Sequence, residues 1–174
     1  NTQAEFSHND IKSVIWRAGV YVEQGLTAFH GWDLGPYGDF PELSSVLVKD
    51  NTIRAVGWAD GVSIMDWASV AGEGKSVDAV VSDNIISLNT GYGGVFGWSA
   101  QDIKVLNNRF EGIGWYGIYV HGSGWEIIDN NVKDLDADMA DVWLGWGSSD
   151  CFVRGKKGTV VLDQGIDNTI IIGD

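Results

Sequence analysis

Polar and apolar positions alternate in short runs along the chain, and two kinds of run recur. The first kind ends in asparagine, after which an apolar position follows within a few residues. Its copies span Val46–Asn51, Val80–Asn84, Ile103–Asn108 and Ile127–Asn131. A period of two predicts strands with one buried face, and the asparagine marks the turn that ends each strand.

The asparagines of this run follow one another at similar steps. Asn84, Asn108 and Asn131 lie 24 and 23 residues apart, and Asn51 precedes Asn84 by 33 residues. Asn9 extends the series towards the N-terminus at a step of 42 residues. Asparagines that recur at one turn predict a ladder, in which each amide bonds its own turn and the next asparagine.

The second kind of run has the form small, apolar, any residue, apolar, and it precedes the next asparagine run. Its copies are Gly19–Val22, Gly61–Ile64, Gly94–Gly97, Gly117–Val120 and Asp141–Leu144. The alternation predicts a strand whose apolar pair faces a core and whose middle residue faces outward. Each period therefore holds three short strands and three turns, and no stretch shows a convincing helical period.

Repeats of this length bury their apolar faces only by stacking on one another. We therefore predict one all-β domain over residues 1–174, a solenoid of about six three-strand coils. The two longer steps between asparagines predict insertions near residues 29–43 and 66–76.

The two runs resemble the repeat of the right-handed parallel β-helix proteins of the pectin-lyase-like superfamily. The resemblance extends from about Ser44 to Asp174, and Arg154–Ile170 looks like a closing coil of such proteins. It implies a right-handed parallel β-helix, but this architecture hosts lyases, hydrolases, epimerases, phage tailspikes and inert surface proteins. We find no amphipathic helix to cover either end. We therefore expect a longer natural protein, an additional domain at the ends, or end-to-end self-association.

The outward positions of the second run form columns that are rich in aromatic residues. The first column contains Tyr21, Ser63, Phe96, Tyr119 and Trp143, and the next contains Glu23, Met65, Trp98, His121 and Gly145, with Trp146 one position further. Exposed apolar patches usually mark binding sites. Rings spaced by one coil suit successive sugar rings, so we predict that Tyr21, Phe96, Trp98, Tyr119, Trp143 and Trp146 bind a polysaccharide. Two alternatives remain open: coverage by loops or a partner, and cross-strand pairing alone.

Catalysis on a polysaccharide would require acid–base groups beside these rings. Hydrolysis needs two carboxylates, and elimination or epimerisation needs a base such as histidine. The candidates are His121, Glu23 and Asp66, with Tyr119 beside His121. The Asn-Thr-Asp phrase of polygalacturonases and the Asp-Pro-His phrase of alginate lyases are absent, so whether the chain is an enzyme stays open. The rival function is a structural or adhesive surface, filament or tailspike module whose aromatic column is a protein interface.

Alternating carboxylates suggest one further ligand. Asp134, Asp136 and Asp138 resemble the start of a calcium loop, but Met139 stands where an EF-hand has glycine. We take a turn that binds Ca²⁺ through these three residues as one hypothesis and a solvated acidic turn as the other.

Charge, hydropathy and cysteine content limit the classes of partner and site that we expect. A net charge of −13 repels phosphate backbones, so we expect no nucleic-acid partner, although acidity also serves solubility. No apolar run is long enough for a membrane span. The single cysteine, Cys151, is expected to be buried rather than nucleophilic. A chain that handles polysaccharide in this way is expected to be extracellular or at the cell surface.

Overall fold

The computed structural model describes residues 2–14, 18–24, 43–66 and 78–173. These ranges contain fifteen strands and no helix, and so no helix that could cross a membrane. The predicted insertions fall almost entirely on residues 25–42 and 67–77, outside the described residues.

The strands form two sheets in which every pairing is parallel. The first sheet contains, in spatial order, β1 (Thr2–Ser7), β4 (Leu43–Lys49), β7 (Asp78–Ser82), β9 (Lys104–Leu106), β11 (Glu126–Ile128), β13 (Phe152–Gly155) and β15 (Thr169–Ile172). The second contains β2 (Asp10–Val14), β5 (Thr52–Val56), β8 (Ile85–Trp98), β10 (Arg109–His121), β12 (Asn131–Leu144) and β14 (Val161–Asp163), joined by β3 (Val20–Gln24) and β6 (Val62–Asp66).

The chain passes alternately through the first and the second sheet, so residues one repeat apart become neighbours. In the first two passes the second sheet receives two separate strands. In the next three passes those strands merge into β8, β10 and β12, each 13 or 14 residues long. The three-strand description therefore applies to the first two passes only, and the number of coils stays a prediction.

Apolar side chains of equivalent positions stack into the core as predicted. One lane of the first sheet runs through Val48, Val81, Val105, Ile127 and Val153, all of them buried. The apolar pair of the second run faces inward too, in lanes such as Val62, Val95, Ile118 and Val142.

Among the tryptophans in the described ranges, Trp125 belongs to the core. Trp125 is fully buried and donates its indole N–H to the Ala100 carbonyl at 2.9 Å. Its ring fills the space beside Gly97, where an added Cβ would lie 2.2 Å from the indole. Gly97 therefore leaves space for the indole, because it has no side chain. Cys151 is buried as well, as predicted.

The asparagine ladder is present, with a correction of one residue. The backbone N–H of each rung donates to the side-chain oxygen of the next, at 2.9–3.0 Å, through Asn9, Asn51, Asn84, Asn108 and Asn130. The prediction that Asn131 forms a rung is wrong. Its side chain accepts only the N–H of Lys133, two residues away, at 3.2 Å.

The residue before each rung has a positive φ, between 54° and 56°, in His8, Asp50, Asp83, Asn107 and Asp129. Asp and Asn tolerate this left-handed conformation better than most residues, which explains why they precede four of the five rungs.

Candidate functional site

The aromatic column, which we define as Tyr21, Phe96, Trp98, Tyr119, His121 and Trp143, lies on the outward face of the second sheet. Strand pairing aligns its first lane in the order Tyr21, Ser63, Phe96, Tyr119, Trp143, and its second in the order Glu23, Met65, Trp98, His121. The predicted vertical alignment of these positions is therefore confirmed.

Rings in the middle of the aromatic column lie face to face. Phe96 and Tyr119 have ring centroids 5.4 Å apart and planes 10° apart, and Trp98 and His121 have values of 4.2 Å and 9°. These separations are close to the strand spacing of about 4.8 Å. The ring planes are therefore stacked along the solenoid, and the faces within each pair are occupied by the partner ring.

Trp143 departs from this stacking. Its ring is 83° from the plane of Tyr119 at 5.1 Å, and its indole N–H donates to Gln164 at 3.0 Å. Trp143 therefore meets Tyr119 edge to face and does not extend the parallel stack. Trp146 lies in the turn after β12 and is 83% exposed. Tyr21, at the other end of the column, is 37% exposed.

A second set of rings, the corner row, consists of Trp58, Tyr92 and Trp115. Tyr92 lies 5.4 Å from Trp58 and 5.2 Å from Trp115, with ring planes tilted by 54° and 46°. Trp58 is 58% exposed and Trp115 is 46% exposed. Tilted rings overlap one another less than parallel rings, so the corner row presents more ring surface to solvent than the middle of the column does.

A hydrogen-bonded acid lies between the corner row and the aromatic column. The hydroxyl of Tyr116 donates to Oδ1 of Asp60 at 3.0 Å, and the N–H of Gly93 also bonds this carboxylate. The Tyr116 ring lies over Gly93, where a Cβ would be 1.9 Å from it, and 5.6 Å from the Tyr119 ring. Tyr116 therefore covers Gly93 and reaches a carboxylate two passes away.

Burial changes the acidity of both groups in this pair. Desolvation raises the pKa of Asp60 from 3.8 to about 7, against the opposing effect of its two hydrogen bonds. Desolvation and the nearby Asp60 charge raise the pKa of Tyr116 well above its usual value. Asp60 therefore exchanges its proton near neutral pH while Tyr116 stays neutral.

Nearly the whole chain matches one family of proteins. The family is described as right handed beta helix region, and the match covers residues 1–170. The chain belongs to the right-handed β-helix family. Searches among curated proteins and among solved structures found no match.

Within this β-helix the three predicted catalytic residues lie on different passes. Strand pairing places Glu23 in the same lane as His121 but three strands away. Asp66 pairs with Gln24 and follows Met65, the member of that lane on β6. At about 4.8 Å per strand, the backbones of Glu23 and His121 are roughly 14 Å apart. The side chains of Glu23 and Asp66 lie outside the described residues, so their catalytic role stays a prediction.

His121 is held in the β-helix on both sides of its ring. Trp98 stacks on one side, and Gly147 lies so close to the ring that an added Cβ would be 2.3 Å from Nε2. Nδ1 is buried and has no hydrogen-bond partner among the described residues. This surrounding restricts the access that a general base requires.

We expect Gly147→Ala to move the His121 ring out of its stack on Trp98, because the new methyl group would overlap the imidazole. The His121 ring protons should lose the upfield shift caused by the indole, and the free energy of unfolding should fall by about 1 kcal/mol. NMR of the imidazole protons and thermal unfolding measure both effects. Gly173→Ala is the control because its Cβ would have 3.7 Å of clearance. Unchanged imidazole shifts in Gly147→Ala would contradict the packing.

The predicted acidic turn is wrong, since Asp134, Asp136 and Asp138 all lie on strand β12. All three carboxylates are solvent-exposed on this strand, and no turn gathers them around one ion. Asp134 is paired with Arg109 at 3.0 Å. Across the described ranges no three His, Cys, Asp or Glu side chains are grouped so that they could hold a metal ion.

The Asp60–Tyr116 pair is the feature that sequence reasoning did not select. Asp60 stands next to Gly61 of the second run, and Tyr116 stands next to Gly117 in the following repeats. Both residues thus occupy the same repeat position, and Gly93 stands between them. The sequence signal for this contact was a column in which glycine lies between two polar residues.

Proposed function

We propose that this β-helix binds a polysaccharide through the corner row and the neighbouring aromatic column. The observation that carries the proposal is the corner row, in which the exposed Trp58 and Trp115 flank the half-buried Tyr92 at 5.2–5.4 Å. Aromatic rings offer large, rigid apolar surface at low entropic cost, and sugar rings present apolar faces to such surfaces. Trp143 adds a ring outside the column's stack.

Polar groups beside these rings favour a hydroxyl-rich ligand. Asp60 is half-buried between the two aromatic surfaces, and its carboxylate oxygens can accept hydrogen bonds from sugar hydroxyls. The net charge of −13 favours a neutral saccharide over a polyanionic one. In this proposal the protein works outside the cell or at its surface, where such polymers occur, and processing of the bound polymer as a lyase, hydrolase or epimerase is an extension of the same proposal.

Truncation of one exposed ring tests the proposal directly. We expect Trp115→Ala to weaken oligosaccharide binding roughly tenfold, because a stacking ring contributes about 1–2 kcal/mol to binding. Calorimetric titration with a panel of neutral and uronate oligosaccharides measures the affinity. Ile113→Ala is the matched control, since Ile113 is 53% exposed on the same strand. Equal loss in both variants, or no binding by the unaltered protein, would exclude the corner row as a sugar site.

A second candidate function is a structural or adhesive module with the aromatic column as a protein interface. The face-to-face packing of Phe96 on Tyr119 and of Trp98 on His121 favours it, because those faces are not offered to sugars. This candidate predicts that molar mass from light scattering rises with concentration while no oligosaccharide binds. Such growth without sugar binding would select the module over the polysaccharide site.

A further inference from the structure

One strand of the second sheet has a partner along only part of one edge. β12 pairs with β10 from Asn131 to Leu144, whereas β14 on its other side is in register only with Val142–Leu144. Within the described residues, the edge of β12 over residues 131–141 therefore has no strand beside it. An edge of this kind presents backbone N–H and C=O groups that an extended chain can pair with.

The space beside this edge is a formed groove. It has a volume of about 590 Å³ and lies between β12 and the 156–160 segment that leads from β13 to β14. The far wall is fixed in place, because the N–H of Val160 donates to Asp141 at 2.8 Å and its carbonyl accepts the N–H of Val142 at 3.1 Å. The missing strand thus leaves a gap with two ordered walls.

The groove is lined by both apolar and basic side chains. Leu135, Met139 and Val160 supply apolar surface. Lys133, Lys156 and Lys157 supply positive charge, which is three of the eleven basic residues in a chain of net charge −13. Asp136 also faces the groove, while the carboxylate of Asp141 is engaged by Val160. Basic side chains are thus concentrated where the backbone edge is open.

We propose that this groove binds an extended acidic peptide segment of a partner protein, which adds to β12 as a parallel strand. The open edge requires an occupant with its own backbone amides, which a polysaccharide lacks. The lysines complement carboxylate side chains on that segment, and Leu135 and Met139 accept its apolar residues. The peptide must displace the Asn131 side chain from the Lys133 N–H. This binding is independent of the sugar site, which lies on other residues.

A suitable probe is a synthetic, end-blocked peptide in which Glu and Val alternate, because such a peptide can extend as a strand along the open edge of β12. Its glutamates supply carboxylates for Lys133, Lys156 and Lys157, and its valines supply apolar side chains for Leu135 and Met139. We expect the amide signals of β12 to shift on titration with this peptide and their hydrogen exchange to slow at least tenfold. A scrambled peptide and one with a central proline should cause neither change.

Charge variants separate this groove from nonspecific attraction. Lys156 and Lys157 are exposed, so K156Q/K157Q should fold normally and bind the probe roughly tenfold more weakly. Lys12→Gln, an exposed lysine on β2 at the other end of the second sheet, should bind like the unaltered protein. The proposal is overturned if the probe leaves β12 unshifted or if scrambled peptide binds equally. It is also overturned if K156Q/K157Q binds unchanged, or if those lysines instead control self-association of the chain.

Discussion

Asn108→Ala is expected to lower the free energy of unfolding by about 3–5 kcal/mol, the largest effect we predict for a single substitution. Asn108 is fully buried in the middle of the ladder. Its amide nitrogen donates to the Val81 carbonyl at 2.8 Å and to Asn130 at 3.1 Å. Its oxygen accepts the backbone and side-chain N–H groups of Asn84 at 3.0 and 2.9 Å. Alanine removes the partner of the Val81 carbonyl and of both Asn84 N–H groups, which lie one pass away and are buried.

Urea unfolding followed by circular dichroism measures this loss. Asn131→Ala is the matched control, because Asn131 sits beside a rung yet bonds only the nearby Lys133 N–H. It should cost less than about 1 kcal/mol. Similar losses for the two variants would show that the ladder does not have the register described.

Asp60→Asn is expected to make the protein more stable by about 2 kcal/mol at pH 8 and to leave its stability unchanged at pH 4. The pKa of Asp60 is raised from 3.8 to about 7 by burial, so the folded protein holds this proton over a range in which the unfolded chain releases it. Stability from this group is therefore complete below pH 4 and is lost as the pH rises through 7. The linkage maximum is about 4 kcal/mol, and we halve it because the side chain keeps some solvent contact.

Asparagine resembles the protonated acid and can still bond the Tyr116 hydroxyl, so it removes the ionisation without removing the contact. Denaturant unfolding at pH 4, 6 and 8 follows the difference between the two proteins. Asp78→Asn, an exposed carboxylate on β7, serves as the comparison and should leave the pH dependence unaltered. A constant difference between Asp60→Asn and the unaltered protein at all three pH values would argue against the raised pKa.

The alignment of distant residues was predictable because stacking forces equivalent positions into one lane. Val62, Val95 and Ile118 could be superimposed from their spacing and their glycine neighbours, and the structure pairs them. The rung at Asn130 was predictable as well. Asn51, Asn84, Asn108 and Asn130 each stand two residues before a buried apolar side chain, whereas Asn131 stands one residue before Val132.

Ring orientation and the missing strand were not predictable from spacing. A repeat puts Trp98 above His121, but side-chain torsions determine whether the rings expose their faces or cover each other. The merging of strands in β8, β10 and β12 depends on the backbone direction at a corner of the solenoid. The strand missing beside β12 depends on the turn at 156–160, which takes the chain from β13 to β14 by a short path. The contact between Asp60 and Tyr116 spans 56 residues and requires Tyr116 to lie across Gly93.

The ladder holds its hydrogen bonds across steps of 42, 33, 24 and 22 residues. The ladder therefore tolerates some changes in chain length and not others. Extra residues can bulge out between strands without altering any rung, and a complete repeat can be duplicated or deleted with its neighbours rejoining in register. A deletion of one residue inside a strand has no such remedy, because every later side chain in that strand would turn to the opposite face of the sheet. Length variants of this protein should therefore differ by loop inserts or by whole repeats of about two dozen residues.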